Sequence, residues 1–198
     1  SFQALTTDHL RSFTKDVWLQ SKITAIHALG DIWAMGSDPE IALTNIIIPE
    51  SSNEIQKRTI EEIIDGANSV FGAEGVKIVG GHTSLGKEIV IGFTLGGFSK
   101  KQPKTVDKAC VGDQIILTKP LGSGVLLAGE MRFEGEGQHL KNLFDAMSQS
   151  QSSIAKVLSK VANSMTDITG FGLAGHLLNI VSKSNVGAKL YLDQVPVY

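Results

Sequence analysis

Three aspartates stand at positions where packing alone does not explain a carboxylate. Asp8 follows two threonines, Asp31 lies inside an otherwise apolar helical stretch, and Asp167 precedes a glycine-rich run. Carboxylates are hard oxygen ligands of the kind that Mg²⁺ prefers, usually together with water and substrate phosphates. Several of them converging on one site would offset the charge of a triphosphate. The three aspartates are therefore candidate residues of a metal–triphosphate site.

Each aspartate also has a structural interpretation. Asp8 could cap a turn, and Asp167 could cap the helix that follows it, although a cap can also bind a metal. Asp31 fits a structural role least well, because an unpaired carboxylate within an apolar helix is costly. The spacing leaves both interpretations open.

Glycines and histidines supply further candidates. Gly80, Gly81 and His82 follow a predicted strand, and successive glycines allow a ligand to approach the backbone closely. A plain β-turn explains the same glycines and is favoured by the local sequence. His82 and His176 could be ligands or bases, but a single histidine is more often structural. Residues 121–124 resemble a phosphate loop only loosely, because the Walker A spacing is absent.

Helical and strand patterns alternate along the chain, which predicts an α/β (α+β) fold. Apolar periodicity predicts helices over 16–35, from 53 to Gly72, from 125, in a long or paired form over 140–161, and up to about 182. Short β-branched runs predict strands at 41–48, 76–79, 89–98, 114–118 and 188–192. The polar, lysine-rich segment 99–108 predicts a boundary between domains 1–103 and 104–198.

Composition narrows the class of protein. With 198 residues and 42% hydrophobic content, the chain can bury a core in one large or two small domains. Its net charge of −2 argues against non-specific nucleic-acid binding. No apolar run is long enough to span a bilayer, which predicts no membrane partner. Cys110 is the one cysteine, so we interpret it as a packed thiol in a reducing compartment and predict a cytoplasmic protein.

The order of the motifs resembles the selenophosphate synthetases (selenide, water dikinases), and the resemblance covers nearly the whole chain. It rests on Thr-Asp at 7–8, Ala-Leu-Gly-Asp-Ile-Trp-Ala-Met-Gly at 28–36, Gly-Gly-His-Thr at 80–83, Gly-Asp-Gln-Ile-Ile-Leu-Thr-Lys-Pro-Leu-Gly-Ser-Gly at 112–124 and Thr-Asp-Ile-Thr-Gly-Phe-Gly-Leu-Ala-Gly-His at 166–176. It implies the two-domain fold of the aminoimidazole ribonucleotide synthetases, with N-terminal domains that pair across a homodimer. It also implies the conversion of ATP, selenide and water to selenophosphate, AMP and phosphate, which supplies selenoprotein and selenonucleoside synthesis.

The same resemblance implies roles for particular residues. Asp31 and Asp167 match Mg²⁺ ligands, and Asp8 and Asp31 match carboxylates of the ATP site. Gly80, Gly81 and His82 match a segment that contacts the nucleotide from the dimer partner. The cofactor expected is Mg²⁺, and the substrates are ATP and selenide.

Some family features do not match this chain. The catalytic Cys or selenocysteine and its Lys belong to a segment expected upstream of Ser1, and Cys110 does not correspond to them. We therefore expect no catalytic residue in this chain, two incomplete domains, and little activity from this piece alone. Within the motifs, His27 stands where Asn is usual, Gly30 where Ser is usual and Ser37 where Gly is usual.

Two alternative functions remain open from the sequence. One is another enzyme of the superfamily, of the thiamine-monophosphate kinase or aminoimidazole ribonucleotide synthetase type. The other is a non-catalytic dimerisation module. The residues of the motif at 166–176 favour the selenide enzyme over the other superfamily enzymes. Loss of Mg²⁺–ATP binding by the intact parent would favour the non-catalytic module.

Overall fold

The computed structural model describes residues 1–198 and divides into two compact units, Ser1–Pro103 and Lys104–Tyr198. Its strands are β1 (Phe2–Arg11), β2 (Asp38–Pro49), β3 (Lys77–Gly86) and β4 (Val90–Ser99). Its helices are α1 (Val17–Ala34), α2 (Asn53–Glu74), α3 (Ser123–Met131), α4 (Gly137–Met147), α5 (Ser152–Val161) and α6 (Gly172–Ser184). The mixture of helices and sheet confirms the predicted α/β (α+β) class.

The first unit is a four-stranded sheet with two helices on one face. The strand order is β1-β4-β2-β3, with β2 and β3 parallel and the other neighbours antiparallel. Burial alternates along most of β2, and the inward-facing Ile91, Phe93 and Leu95 of β4 are buried, so one side chain in two enters the core. Phe71 of α2 meets Phe93 of β4 edge to face, with ring centroids 5.1 Å apart. The core therefore lies between the sheet and the two helices.

The opposite face of the sheet is uncovered. Leu5, Leu43 and Phe98 lie on it and are exposed, Leu5 to 69% of its surface. This face also carries Gly80 and His82 of β3, because they alternate with the inward-facing Gly81. An apolar sheet face open to solvent is typical of a surface that meets another protein.

Capping residues and glycines set the ends of the helices α1 and α2. Asp16 caps α1 by accepting a hydrogen bond from Leu19 N at 2.8 Å, and Gly36 follows the helix with a φ of 64°. In α2 the prediction of an end at Gly72 is wrong by two residues. The helix continues to Glu74 because Gly75, with a φ of 73°, is the residue that takes the left-handed conformation.

Two predictions of strands are wrong, and one strand is not predicted. Residues 114–118 and 188–192 form no strand, and Leu192–Gln194 is a 3₁₀ helix. Ile115 and Ile116 are both exposed, so their β-branched side chains have no sheet to join. Conversely, β1 is not predicted, because Thr6 and Asp8 occupy inward positions where apolar residues would mark a strand. The predicted paired helix is confirmed as α4 and α5.

Candidate active site between β1 and α1

Asp8 and Asp31, two of the predicted site residues, lie close to each other in the first unit. Alternation along β1 turns Thr6 and Asp8 toward the helices, and His27 and Asp31 lie one turn apart on α1. The hydroxyl of Thr6 donates a hydrogen bond to Oδ2 of Asp31. Nε2 of His27 lies 3.6 Å from Oδ2 of Asp8, and both side chains are about 30% exposed. The β1–α1 contact thus forms a partly buried polar cluster.

The cluster carries excess negative charge. The pKa of the Asp8 carboxyl is raised above its usual value, mainly because burial disfavours its charged form. The negative charge of Asp31 and a hydrogen bond with its side chain raise it further, while His27 and His9 act in the opposite direction. A cation bound between the two carboxylates would relieve this repulsion. The interpretation of Asp8 as a turn cap is wrong, because it lies within β1.

The residues present fit Mg²⁺. The two side chains offer carboxylate oxygens, and no group of three or more His, Cys, Asp or Glu side chains that could hold a metal occurs in the structure. Mg²⁺ is usually held by one or two carboxylates, with waters and substrate phosphates completing its coordination. A closed cage of protein ligands, as structural zinc requires, is not available here.

The segment Gly80–His82 lies far from this pair within one chain. It is part of β3 and not a turn, so the β-turn interpretation is wrong. In register, Asp8 is opposite Phe93, Phe93 is opposite Thr44, and Thr44 is opposite Gly81. This row crosses the whole sheet, which separates Asp8 from Gly81 by about 14 Å. The predicted contact of Gly80, Gly81 and His82 with a nucleotide stays a prediction.

Asp167 lies in the second unit, in the partly buried segment before α6. It is not the cap of that helix, because Phe171 occupies the N-cap position and no side chain caps the helix there. The capping interpretation of Asp167 is therefore wrong. His176 is partly explained as a structural residue, since its Nε2 accepts a hydrogen bond from Thr169 N at 3.1 Å. The metal-binding role of Asp167 stays a prediction.

Sequence reasoning missed three polar residues. Thr6 carries no local signal, and His27 is notable in the sequence only as a departure from the family pattern. Both matter because they face Asp31 and Asp8 across the β1–α1 contact. Lys119 donates a hydrogen bond to the carbonyl of Gln149 at 2.7 Å, and burial lowers the pKa of its ammonium group to about 8. The position of Lys119 beside Pro120 and the glycines of 121–124 is the sequence feature that could have marked it as a candidate site residue.

The interpretation of Cys110 as a packed thiol is wrong. Its side chain is exposed, and Sγ lies 3.6 Å from the carbonyl oxygen of Lys108. Cys110 opens a turn in which its N–H donates to Oδ2 of Asp113 at 2.8 Å, and the turn holds the side chain at the surface. Among the helices, none combines the length and apolar content that a membrane span needs.

The matches to known families cover both units. Residues 2–99 match the N-terminal domain of the AIR synthase related proteins, and residues 111–198 match their C-terminal domain. The chain belongs to the AIR synthase related family.

Curated relatives are selenide, water dikinases, which confirms the resemblance to that group. The protein of Shewanella sp. strain MR-4 is 33% identical over 194 residues, which is 97% of this chain and 54% of the relative. That of Shewanella baltica strain OS155 is 32% identical over 197 residues, with the same coverage. The chain spans about half the length of the curated relatives it matches.

Solved structures share the fold at lower identity. Thiamine-monophosphate kinase from Stenotrophomonas maltophilia superposes with a TM-score of 0.85 at 22% identity, over all of this chain and 65% of that one. E. coli HypE, a hydrogenase maturation protein, superposes with a TM-score of 0.79 at 15% identity. The match covers 100% of this chain and 63% of HypE. AaThiL complexed with AMPPCP and TMP superposes with a TM-score of 0.74 at 22% identity. The match covers 92% of this chain and 60% of that one. These matches confirm the predicted two-domain fold.

Proposed function

We propose that this chain is part of a selenide, water dikinase, which converts ATP, selenide and water to selenophosphate, AMP and phosphate. One structural observation supports the proposal: Asp8 and Asp31 converge between β1 and α1. One or two carboxylates are the protein ligands that Mg²⁺ usually takes beside substrate phosphates. The choice of selenide as acceptor is supported by relatives of that name that align with 97% of the chain. A phosphotransferase of this kind would act in the cytoplasm, where Cys110 stays reduced.

The residues then take separate roles. Asp31 and Asp167 are proposed to hold Mg²⁺, and Asp8 completes the carboxylate set of the ATP site. Thr6 restrains the Asp31 carboxylate through its hydrogen bond to Oδ2. When bound, Mg²⁺ would neutralise charge on the phosphates. The nucleotide complex of AaThiL supports binding of ATP by this fold.

We also propose that two copies pair through the uncovered face of the sheet. Leu5, Leu43 and Phe98 expose apolar surface there, and His82 projects from the same face at the β3 edge. Pairing would bury this surface and bring Gly80 and His82 of one copy to the other. Leu43→Lys is expected to convert a dimeric parent protein to a monomer in analytical ultracentrifugation. A parent that sediments as a monomer without the substitution contradicts the pairing.

The function is tested on the full-length parent protein. With ATP, Mg²⁺ and selenide it is expected to form AMP and selenophosphate, measured by chromatography and ³¹P NMR, with little AMP when selenide is omitted. AMP at background level would contradict the proposal. Transfer to thiamine monophosphate with release of ADP would instead support the kinase alternative. Failure of the parent to bind Mg²⁺–ATP at all would support the non-catalytic module.

A further inference from the structure

The side chain of His176 on α6 forms a hydrogen bond with the segment that carries Asp167. Nε2 of His176 accepts a hydrogen bond from the backbone N–H of Thr169 at 3.1 Å and lies 3.2 Å from its hydroxyl oxygen. Because an N–H can only donate, Nε2 must be unprotonated and the ring proton must sit on Nδ1. His176 thus reaches back over the first turn of α6 to the residue two positions after Asp167.

The residues around His176 pack in a way that favours this hydrogen bond. The Phe171 ring lies 5.8 Å from the imidazole, centroid to centroid. Gly175 permits this packing, since a Cβ there would lie 2.8 Å from Cβ of Phe171. Gly172 turns the chain into the helix with a φ of 66°, a conformation that side chains rarely adopt. The glycines and the phenylalanine of the motif therefore build a fixed turn around the His176 contact.

We propose that His176 is a positioning residue for Asp167. With the backbone of Thr169 held, Ile168 is the one residue between the anchor and the carboxylate, so the direction of Asp167 is restricted before any metal binds. This proposal rests on the assignment of Asp167 to Mg²⁺ in the proposed function. It also decides between the roles open to His176: its Nε2 lone pair is used by Thr169, so that nitrogen is neither a ligand nor a base.

Two substitutions of His176 in the full-length parent separate anchoring from packing. His176→Gln keeps an acceptor at similar reach, whereas His176→Leu fills the space beside Phe171 without one. Binding of Mn²⁺ with AMPPCP is followed by the electron paramagnetic resonance of free Mn²⁺. We expect His176→Leu to weaken binding about tenfold, as loss of a supporting hydrogen bond does in metal sites, and His176→Gln to bind nearly as wild type. Equal binding by His176→Leu and wild type, or equal losses in both variants, would overturn the proposal.

A second measurement needs no ligand. Hydrogen exchange of the Thr169 amide in the free protein is expected to be slow in wild type and His176→Gln, and about five times faster in His176→Leu. Unchanged exchange in His176→Leu would show that Thr169 is not anchored by His176 and would overturn the proposal. A wild-type parent that binds no Mn²⁺–AMPPCP contradicts the proposed function. Normal binding by wild type with no effect of His176→Leu contradicts the positioning role alone.

Discussion

Asp8→Asn is expected to stabilise the unliganded protein at neutral pH and to lower the ATP-dependent activity of the parent about 100-fold. Both effects have one cause, the closeness of two carboxylates in a partly buried cluster. Asn keeps the size of the side chain but removes the charge that burial and Asp31 disfavour. The same charge is what a bound Mg²⁺–ATP complex would require.

The sign of the pH dependence follows from the raised pKa of Asp8. A group whose pKa is higher in the folded protein than the unfolded value of 3.8 favours folding most below 3.8. That contribution is lost as the pH rises through the folded pKa, so at neutral pH the ionised Asp8 is a net cost. The stability advantage of Asp8→Asn should therefore be largest near neutral pH, shrink as the pH falls through the raised pKa of Asp8, and be lost below 3.8.

Urea denaturation from pH 3 to pH 8 and steady-state kinetics measure the two effects. Asp145→Asn is a suitable control, because Asp145 is an exposed residue of α4 paired with Lys141 at 2.7 Å. It should change neither activity nor the pH profile. Asp31→Asn should reduce activity at least as much as Asp8→Asn. Full activity in Asp8→Asn, or a stability gap that widens in acid, would contradict this account of the site.

Gly81→Ala is expected to destabilise the first unit by about 3 kcal/mol, whereas the neighbouring Gly80→Ala should be tolerated. A Cβ on Gly81 would overlap the hydroxyl and carbonyl oxygens of Thr44 and lie 2.8 Å from its amide nitrogen. The hydroxyl can rotate away, but the carbonyl oxygen and amide nitrogen belong to the backbone of β2, the parallel partner of β3, and cannot move without opening the sheet. A Cβ on Gly80 would meet only the end of the Leu43 side chain, at 3.3 Å.

Thermal and urea unfolding of the two variants give the comparison. A substantially lower transition for Gly81→Ala with a near wild-type transition for Gly80→Ala is the expected result. Equal stability of the two would contradict the strand register described above. Because Gly80→Ala should fold normally, a loss of ATP affinity in that variant would show that the ligand, and not the sheet, needs glycine at position 80.

Local patterns predicted much of the fold. The helices α1 and α2 follow from apolar spacing, caps and terminal glycines, which act within a few residues of each other. Local patterns predict strands less well than helices, because a β-branched run becomes a strand only if a partner pairs with it. The run around Ile115 and Ile116 has none, while β1, with polar residues facing inward, is a full strand because β4 pairs with it along its length.

The sequence by itself determined which residues could do chemistry and to which family the chain is similar, because motifs are read from residue types and spacing. Only the tertiary structure decided their partners. It placed Asp8 against Asp31, put Gly81 at the opposite edge of the sheet, and turned His176 back onto Thr169. Strand order and register depend on contacts between residues far apart in the chain, and no local pattern encodes them.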